Sequence, residues 1–249
     1  MHKISYAIIL FLLLAFATGC GVGDVRDGAT LSTITLPYQA LPRQPRIEEP
    51  VMAPKPYVPT PEPVFTAEPI PPHIAQQIMG SSFHPHTPFG MEELAYLTLT
   101  HVNFEGERTE GHMIVAAAIA EEVLDIFRDI YAAQFPIARI RLIDYYNALD
   151  YYSMADNNSV GFNFRTIAGT NVISRHGLGM AIDINPIQNP YIRGNTIWPA
   201  AGVDYVDRTN VRPGMIIPGD AVYTAFISRG WIWGGHWTSP IDYHHFERR

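Results

Sequence analysis

Along the chain, apolar positions recur at helical spacing between Met113 and Tyr131. Ile119, Val123, Ile126, Phe127 and Ile130 fall on one face, and Glu121, Glu122, Asp125, Arg128 and Asp129 on the other, so this stretch is predicted as the principal helix. Pro136 follows and helps to end it. Ile140-Arg141-Leu142-Ile143-Asp144 reads as a strand, and so does Met180-Ala181-Ile182-Asp183-Ile184, where the even positions are apolar and Asp183 points the other way. Val222 to Ser228 suggests a short helix leading to Gly230, and Asp242 to Glu247 a closing strand. A long helix packed on several strands predicts an α+β domain.

The pattern is different upstream. Lys3 precedes the apolar run Ile8 to Ala17, which is too short to span a bilayer comfortably and reads as the hydrophobic region of a signal peptide. Ala17-Thr18-Gly19 then leads into Cys20. Twelve of the 21 prolines lie between Pro37 and Pro72, favouring extended backbone over packed structure. The expected organisation is a signal segment over residues 1–19, a proline-rich linker over 20–73 and a folded domain over 74–249.

Composition narrows the chemistry. Cys20 is the only cysteine, so neither an intrachain disulfide nor a thiolate metal cluster can form. A formal net charge of -7 without a run of Lys or Arg excludes the concentrated basic surface that nucleic acid requires. The thirteen Tyr and four Trp suit a well-packed domain, with a few rings available for a groove wall.

Two clusters carry candidate chemistry, Ser174-Arg175-His176-Gly177-Leu178-Gly179-Met180-Ala181-Ile182-Asp183 and Asp242-Tyr243-His244-His245-Phe246-Glu247. A catalytic zinc takes three nitrogen or oxygen ligands and keeps one position for water, and His176, Asp183 and His245 supply such a set. A lone Asp in a buried strand costs several kcal/mol unless paired or metal-bound. Asp242, three residues before His245, can approach the metal's water without ligating and accept its proton. His244 is expected to point away from His245 on a strand, and so to lie behind the ligands or at the surface. His84, His86, His101 and His112 have no supporting pattern and are assigned no role.

The order Ser-x-His-x-x-Gly-x-Ala-x-Asp, followed by acid-x-x-His-Phe, resembles the VanY-type zinc peptidases, which include D-Ala-D-Ala carboxypeptidases and L-Ala-D-Glu endopeptidases. Phe135-Pro136-Ile137, Ser153-Met154, Asn157-Asn158-Ser159, Phe162-Asn163-x-Arg165, Asp183-Ile184-Asn185-Pro186 and Gly230-Trp231-x-Trp233-Gly234-Gly235 extend the similarity from about Leu94 to Glu247, leaning to the endopeptidase-like branch. The resemblance implies the compact fold shared with hedgehog domains, an antiparallel sheet with packed helices. It implies one Zn2+ held by His176, Asp183 and His245, with Asp242 as general base. It further implies Arg165 as a substrate-binding and oxyanion-stabilising residue, Ser174 as a contact to the substrate backbone, and peptidoglycan stem peptides as substrate. One departure stands out, because the family often has Gly-Gly-Asp-Trp where this chain has Gly234-Gly235-His236-Trp237.

The segment ending in Gly19-Cys20 is similar to a bacterial lipoprotein signal, which implies cleavage before Cys20, acylation of its sulfur and an extracytoplasmic, membrane-anchored protein. A plain signal peptide with an incidental cysteine is the other reading. The alternative function is a zinc-containing lipoprotein that binds wall peptides without cutting them, and an intact Asp242 argues against it.

Overall fold

A computed structural model of the protein describes residues 62–249, so Cys20, the signal segment and most of the expected linker lie outside the described residues. The first layer is an antiparallel sheet of β1 (Phe65–Pro69), β2 (Leu94–Val102) and β3 (Arg108–Ala116), with β2 in the middle. Helix α1 (Pro72–Ile78) follows β1. The last residues of the expected linker are therefore drawn into the fold. Phe65 pairs with Leu99 and Pro69 with Ala95, and the prolines sit at the edge strand and the first turn of α1, positions that need no backbone donor.

The β2–β3 hairpin is sandwiched between two apolar clusters. Leu97, Leu99, Met113 and Val115 face the larger one, and Leu94, Tyr96 and Ile114 face the smaller. Burial on both faces turns a strand into a nearly continuous apolar run, which hides its period of two. That is why Met113–Ala116, expected to open the main helix, are instead the end of β3. After a short 3-10 turn over Ala117–Ile119, helix α2 spans Ala120–Ala132 and buries Val123, Leu124, Ile126, Phe127 and Ile130 against the hairpin. Each of these side chains contributes about 1.5–3 kcal/mol by leaving water.

Smaller elements complete the domain. β4 (Arg139–Ile140) pairs in parallel with β5 (Asn158–Ser159), and α3 (Asp150–Ala155) lies between them in sequence. The expected strand to Asp144 stops at Ile140, because Ile143–Tyr146 form a 3-10 turn closed by left-handed Asn147. β6 (Ala181–Asp183) shares a sheet with β9 (Ile232–Trp233) and β11 (His245–Glu247). β7 (Tyr191–Arg193) and β8 (Thr196–Trp198) share another with β10 (Ile241–Asp242). Helix α4 (Ala221–Ile227) begins at Asp220, whose side chain accepts from Tyr223 N, and packs on α2.

The closing strand expected over 242–247 is thus two strands in two different sheets, joined by a turn at Tyr243-His244. The architecture is α+β, as expected, with antiparallel sheets and few helices.

Candidate metal centre and cleft

β11 binds β6 with His245 opposite Asp183, Phe246 opposite Ile182 and Glu247 opposite Ala181. Residues directly opposite in an antiparallel pair project to the same face. His245 and Asp183 therefore point together into a cleft, while Phe246 and Ile182, both 0% exposed, enter the core on the other face. Phe246 stacks on Phe226 of α4 with ring centroids 4.1 Å apart. The apolar side of this strand pair holds the polar side in register.

His176 reaches the same point from a 3-10 turn over His176–Leu178, closed by Gly179 at φ 66°. A side chain at residue 179 would bring a Cβ to 2.5 Å from Ala116 N, and that same backbone donates to Gly179 O at 2.9 Å. Glycine is required here both for the left-handed backbone and for the close approach to β3.

His176 Nε2 lies 3.1 Å from Asp183 Oδ1 and 3.1 Å from His245 Nδ1, and these last two are 3.0 Å apart. His176 Nδ1 donates to the Gly161 carbonyl at 2.6 Å, which leaves the Nε2 lone pair facing the other two atoms. On the far side of the other ring, His245 Nε2 is 3.4 Å from Glu247 Oε2. Two imidazoles and a carboxylate thus converge on one buried point. A tetrahedral zinc with bonds of about 2.0–2.1 Å spaces its ligands about 3.3 Å apart, close to the triangle seen here. Among the described residues this is the one group of side chains able to hold a metal in this way. Nitrogen and carboxylate donors with outer partners on their rings are the chemistry that a zinc site requires.

The carboxylates differ in character. Burial raises the Asp183 carboxyl, but the imidazoles of His176 and His244 and its hydrogen bonds hold it well below the usual range. The Asp242 carboxyl is pushed above its ordinary value by burial and by the charge of Asp183, with His244 and His245 opposing. A ligand that stays ionised beside a carboxylate with raised proton affinity suits metal binding and proton transfer respectively. Gly234 packs on Asp242, where a Cβ would stand 2.6 Å from Asp242 O.

The cleft above these residues has a volume of ≈ 810 Å³. Ile167, Val172, Trp198 and Trp237 give it apolar walls, and Arg165, Arg193 and Ser174 contribute polar ones. Arg165 pairs with Asp150 Oδ2 at 2.5 Å, and Asp150 Oδ1 accepts from Asn163 Nδ2 at 2.9 Å. Ser174 Oγ accepts from His176 N at 3.3 Å, so it supports the turn that carries a ligand as well as lining the cleft.

The expectation that His244 points away from His245 is corrected, and of its two expected places, behind the ligands or at the surface, it takes the first. Because the chain turns between two sheets, His244 is not on an alternating strand. It is 3% exposed, lines the cleft and lies 3.0 Å from Asp242 Oδ1. Sequence reasoning also passed over Asp150, which sits in no motif, and Glu247, whose spacing of two from His245 was the available signal. His236 packs edge-on against Trp233 and Tyr223 and is not among the cleft-lining residues. A second cavity of ≈ 500 Å³ beside β3 is lined in part by His101 and His112. There the His101 ring meets Thr109 Oγ1 at 2.8 Å, and His112 stacks on Tyr96.

Residues 168–248 match the model of a family described as D-alanyl-D-alanine carboxypeptidase, which supports the VanY-type assignment made from the motifs. The matched segment contains the candidate metal ligands and Asp242, while Arg165 lies just before it. No curated protein and no solved structure matches the chain.

Proposed function

Because residues 168–248 match the D-alanyl-D-alanine carboxypeptidase family model, we propose that the chain is a zinc-dependent peptidase that hydrolyses peptide bonds in peptidoglycan stem peptides. The bond is that of a D-Ala-D-Ala carboxypeptidase or of an L-Ala-D-Glu type endopeptidase. The observation that carries this reading is the convergence of His176 Nε2, Asp183 Oδ1 and His245 Nδ1 on one buried point beside the Asp242 carboxylate.

His176, Asp183 and His245 are the residues that hold the ion. When bound, zinc supplies positive charge that acidifies water and polarises the scissile carbonyl. Asp242 accepts a proton from the attacking water and returns it to the departing amine nitrogen, so that OH is added to the carbonyl carbon and H to the nitrogen as the C–N bond breaks. Burial raises the proton affinity of Asp242, which favours this double role. Arg165, braced by Asp150, is assigned the carbonyl oxygen as its negative charge grows. Ser174 is assigned the substrate backbone. The Cys20 signal, read as a lipoprotein anchor, would keep the domain on the side of the membrane where this substrate lies.

The test is incubation of the purified zinc-loaded protein with a panel of intact stem peptides. Appearance of new amino groups is followed, and mass spectrometry of the products identifies the bond. Cleavage that stops with a chelator and returns with zinc is expected. Retention of peptides without any cleavage would replace this reading with the binding-protein alternative.

A further inference from the structure

We propose that His244 is a positioning residue for Asp242: anchored on the Asn189 carbonyl, its imidazole sets the direction in which the Asp242 carboxylate faces the metal-ligand group. The inference rests on the function proposed above and deepens it.

His244 owes its place to the turn between β10 and β11, which swings its ring to the side occupied by Asp183 and Asp242. Its Nδ1 lies 2.7 Å from Asn189 O. A carbonyl only accepts, so Nδ1 donates, and this bond fixes the plane of the ring. Nε2 is then 3.0 Å from Asp242 Oδ1 and 3.7 Å from Asp183 Oδ2. Nε2 approaches Asp242 Oδ1 without an aligned hydrogen bond, and Asp242 Oδ1 has no hydrogen-bond partner among the described residues. The ring of His244 is therefore what this buried oxygen meets.

The anchor is itself held. Asn189 is 0% exposed, and its side-chain nitrogen donates to Gly214 O at 2.9 Å and to Ile184 O at 3.2 Å. Its Oδ1 accepts from Ile216 N at 2.7 Å and from Arg208 Nη2 at 3.0 Å. Arg208 also donates to Gln188 O at 2.7 Å and lies over the Tyr243 ring at 4.3 Å. The segment after β8 thus clamps both the Asn189 anchor and the residue next to His244. An aspartate otherwise has several staggered side-chain orientations available, of which one serves the reaction. A displacement of about 1 Å at a reacting group costs on the order of a hundredfold in rate.

The competing explanation is that His244 simply fills a buried space and satisfies Asn189. Two replacements separate the contacts of the ring. In His244→Asn the amide nitrogen stands near the place of Nδ1, keeping the Asn189 bond while falling short of Asp242. In His244→Gln it stands near the place of Nε2, keeping the Asp242 contact.

Steady-state kinetics and metal analysis on zinc-loaded full-length protein, with crystal structures of wild type and H244N, form the test. For H244N we expect kcat lower by about 10- to 100-fold, KM within about twofold of wild type, unchanged zinc content and a rotated Asp242 carboxylate. H244Q should restore most of kcat. Wild-type kcat with an unmoved Asp242 in H244N overturns the proposal, and so does a loss of turnover that zinc loss fully explains. If H244N does not fold, H244Q decides alone, with kcat near wild type supporting and a tenfold or greater fall overturning. If wild type binds zinc but cleaves no stem peptide, the proposed function fails, and the Asp242 orientation in H244N still decides the role of His244.

Discussion

At the scale of single residues, the proposed roles divide between binding a metal and moving a proton. His176, Asp183 and His245 form the triangle of donors, and Asp242 stands beside it with a raised proton affinity. Asp242→Ala should therefore keep its zinc and lose turnover by about 10²- to 10⁴-fold, measured as kcat with metal content determined on the same sample. Unchanged turnover would remove Asp242 from the base role. In the metal-free protein, burial opposes charge on His245, yet hydrogen bonds with Asp183 and Glu247 and the charge of Asp242 carry its imidazole up to about 10. The ring is then protonated at pH 8 and must lose that proton to offer Nδ1 to a metal. Zinc binding at pH 8 should release close to one proton from this ring, seen as a calorimetric enthalpy that changes with the ionisation enthalpy of the buffer. A buffer-independent enthalpy would contradict this.

The convergence of His176, Asp183 and His245 was legible in the sequence because His176 to Asp183 is one short stretch and the second cluster carries its spacing with it. The direction of His244 was not, since it depends on a break between two sheets that local alternation does not reveal. The Asp150 partner of Arg165 was hidden for a related reason, because it comes from α3, distant in the chain from either cluster.

At the scale of elements, the register of β6 against β11 is what aligns the site, and its apolar face is what secures the register. Phe246 lies between Phe226 and Trp233, stacked on both. Phe246→Ala should destabilise the domain by about 3–5 kcal/mol in denaturant unfolding and also weaken zinc binding, because the loosened strand carries His245. A loss of stability with unaltered zinc affinity would show that the two faces of the strand are independent. α4 and the core of α2 were readable from periodicity, with ends within a few residues apart from the premature start at Met113. The hairpin of β2 and β3 was missed although its loop carried a signal. Asn103 Oδ1 accepts from Glu105 N and Glu107 N, and Gly106 takes φ 77°, a turn of the type that a Gly-containing interval between two apolar runs announces.

At the scale of the whole molecule, the proposed metal would be linked to the fold. A ligand bound only by the folded state at about 100 times its Kd adds about 2.7 kcal/mol of stability. Thermal unfolding should therefore shift upward with added zinc and fall with a chelator, while His176→Ala should respond weakly to either. If Cys20 carries a lipid, Cys20→Ser should move the protein from the membrane fraction of expressing cells to the soluble one, read by fractionation and blotting. The same distribution for both forms would leave the plain signal peptide as the better reading.

Asp242 and His245, at either end of the turn in the closing segment, belong to different sheets. Asp242 rides on the sheet of β7 and β8, and His245 on the sheet of β6 and β9, with only Tyr243 and His244 between them. Tyr191 pairs with Asp242 across β7 and β10 and lines the cleft with Trp198, so the wall a bound chain would lean on and the Asp242 carboxylate are parts of one small sheet.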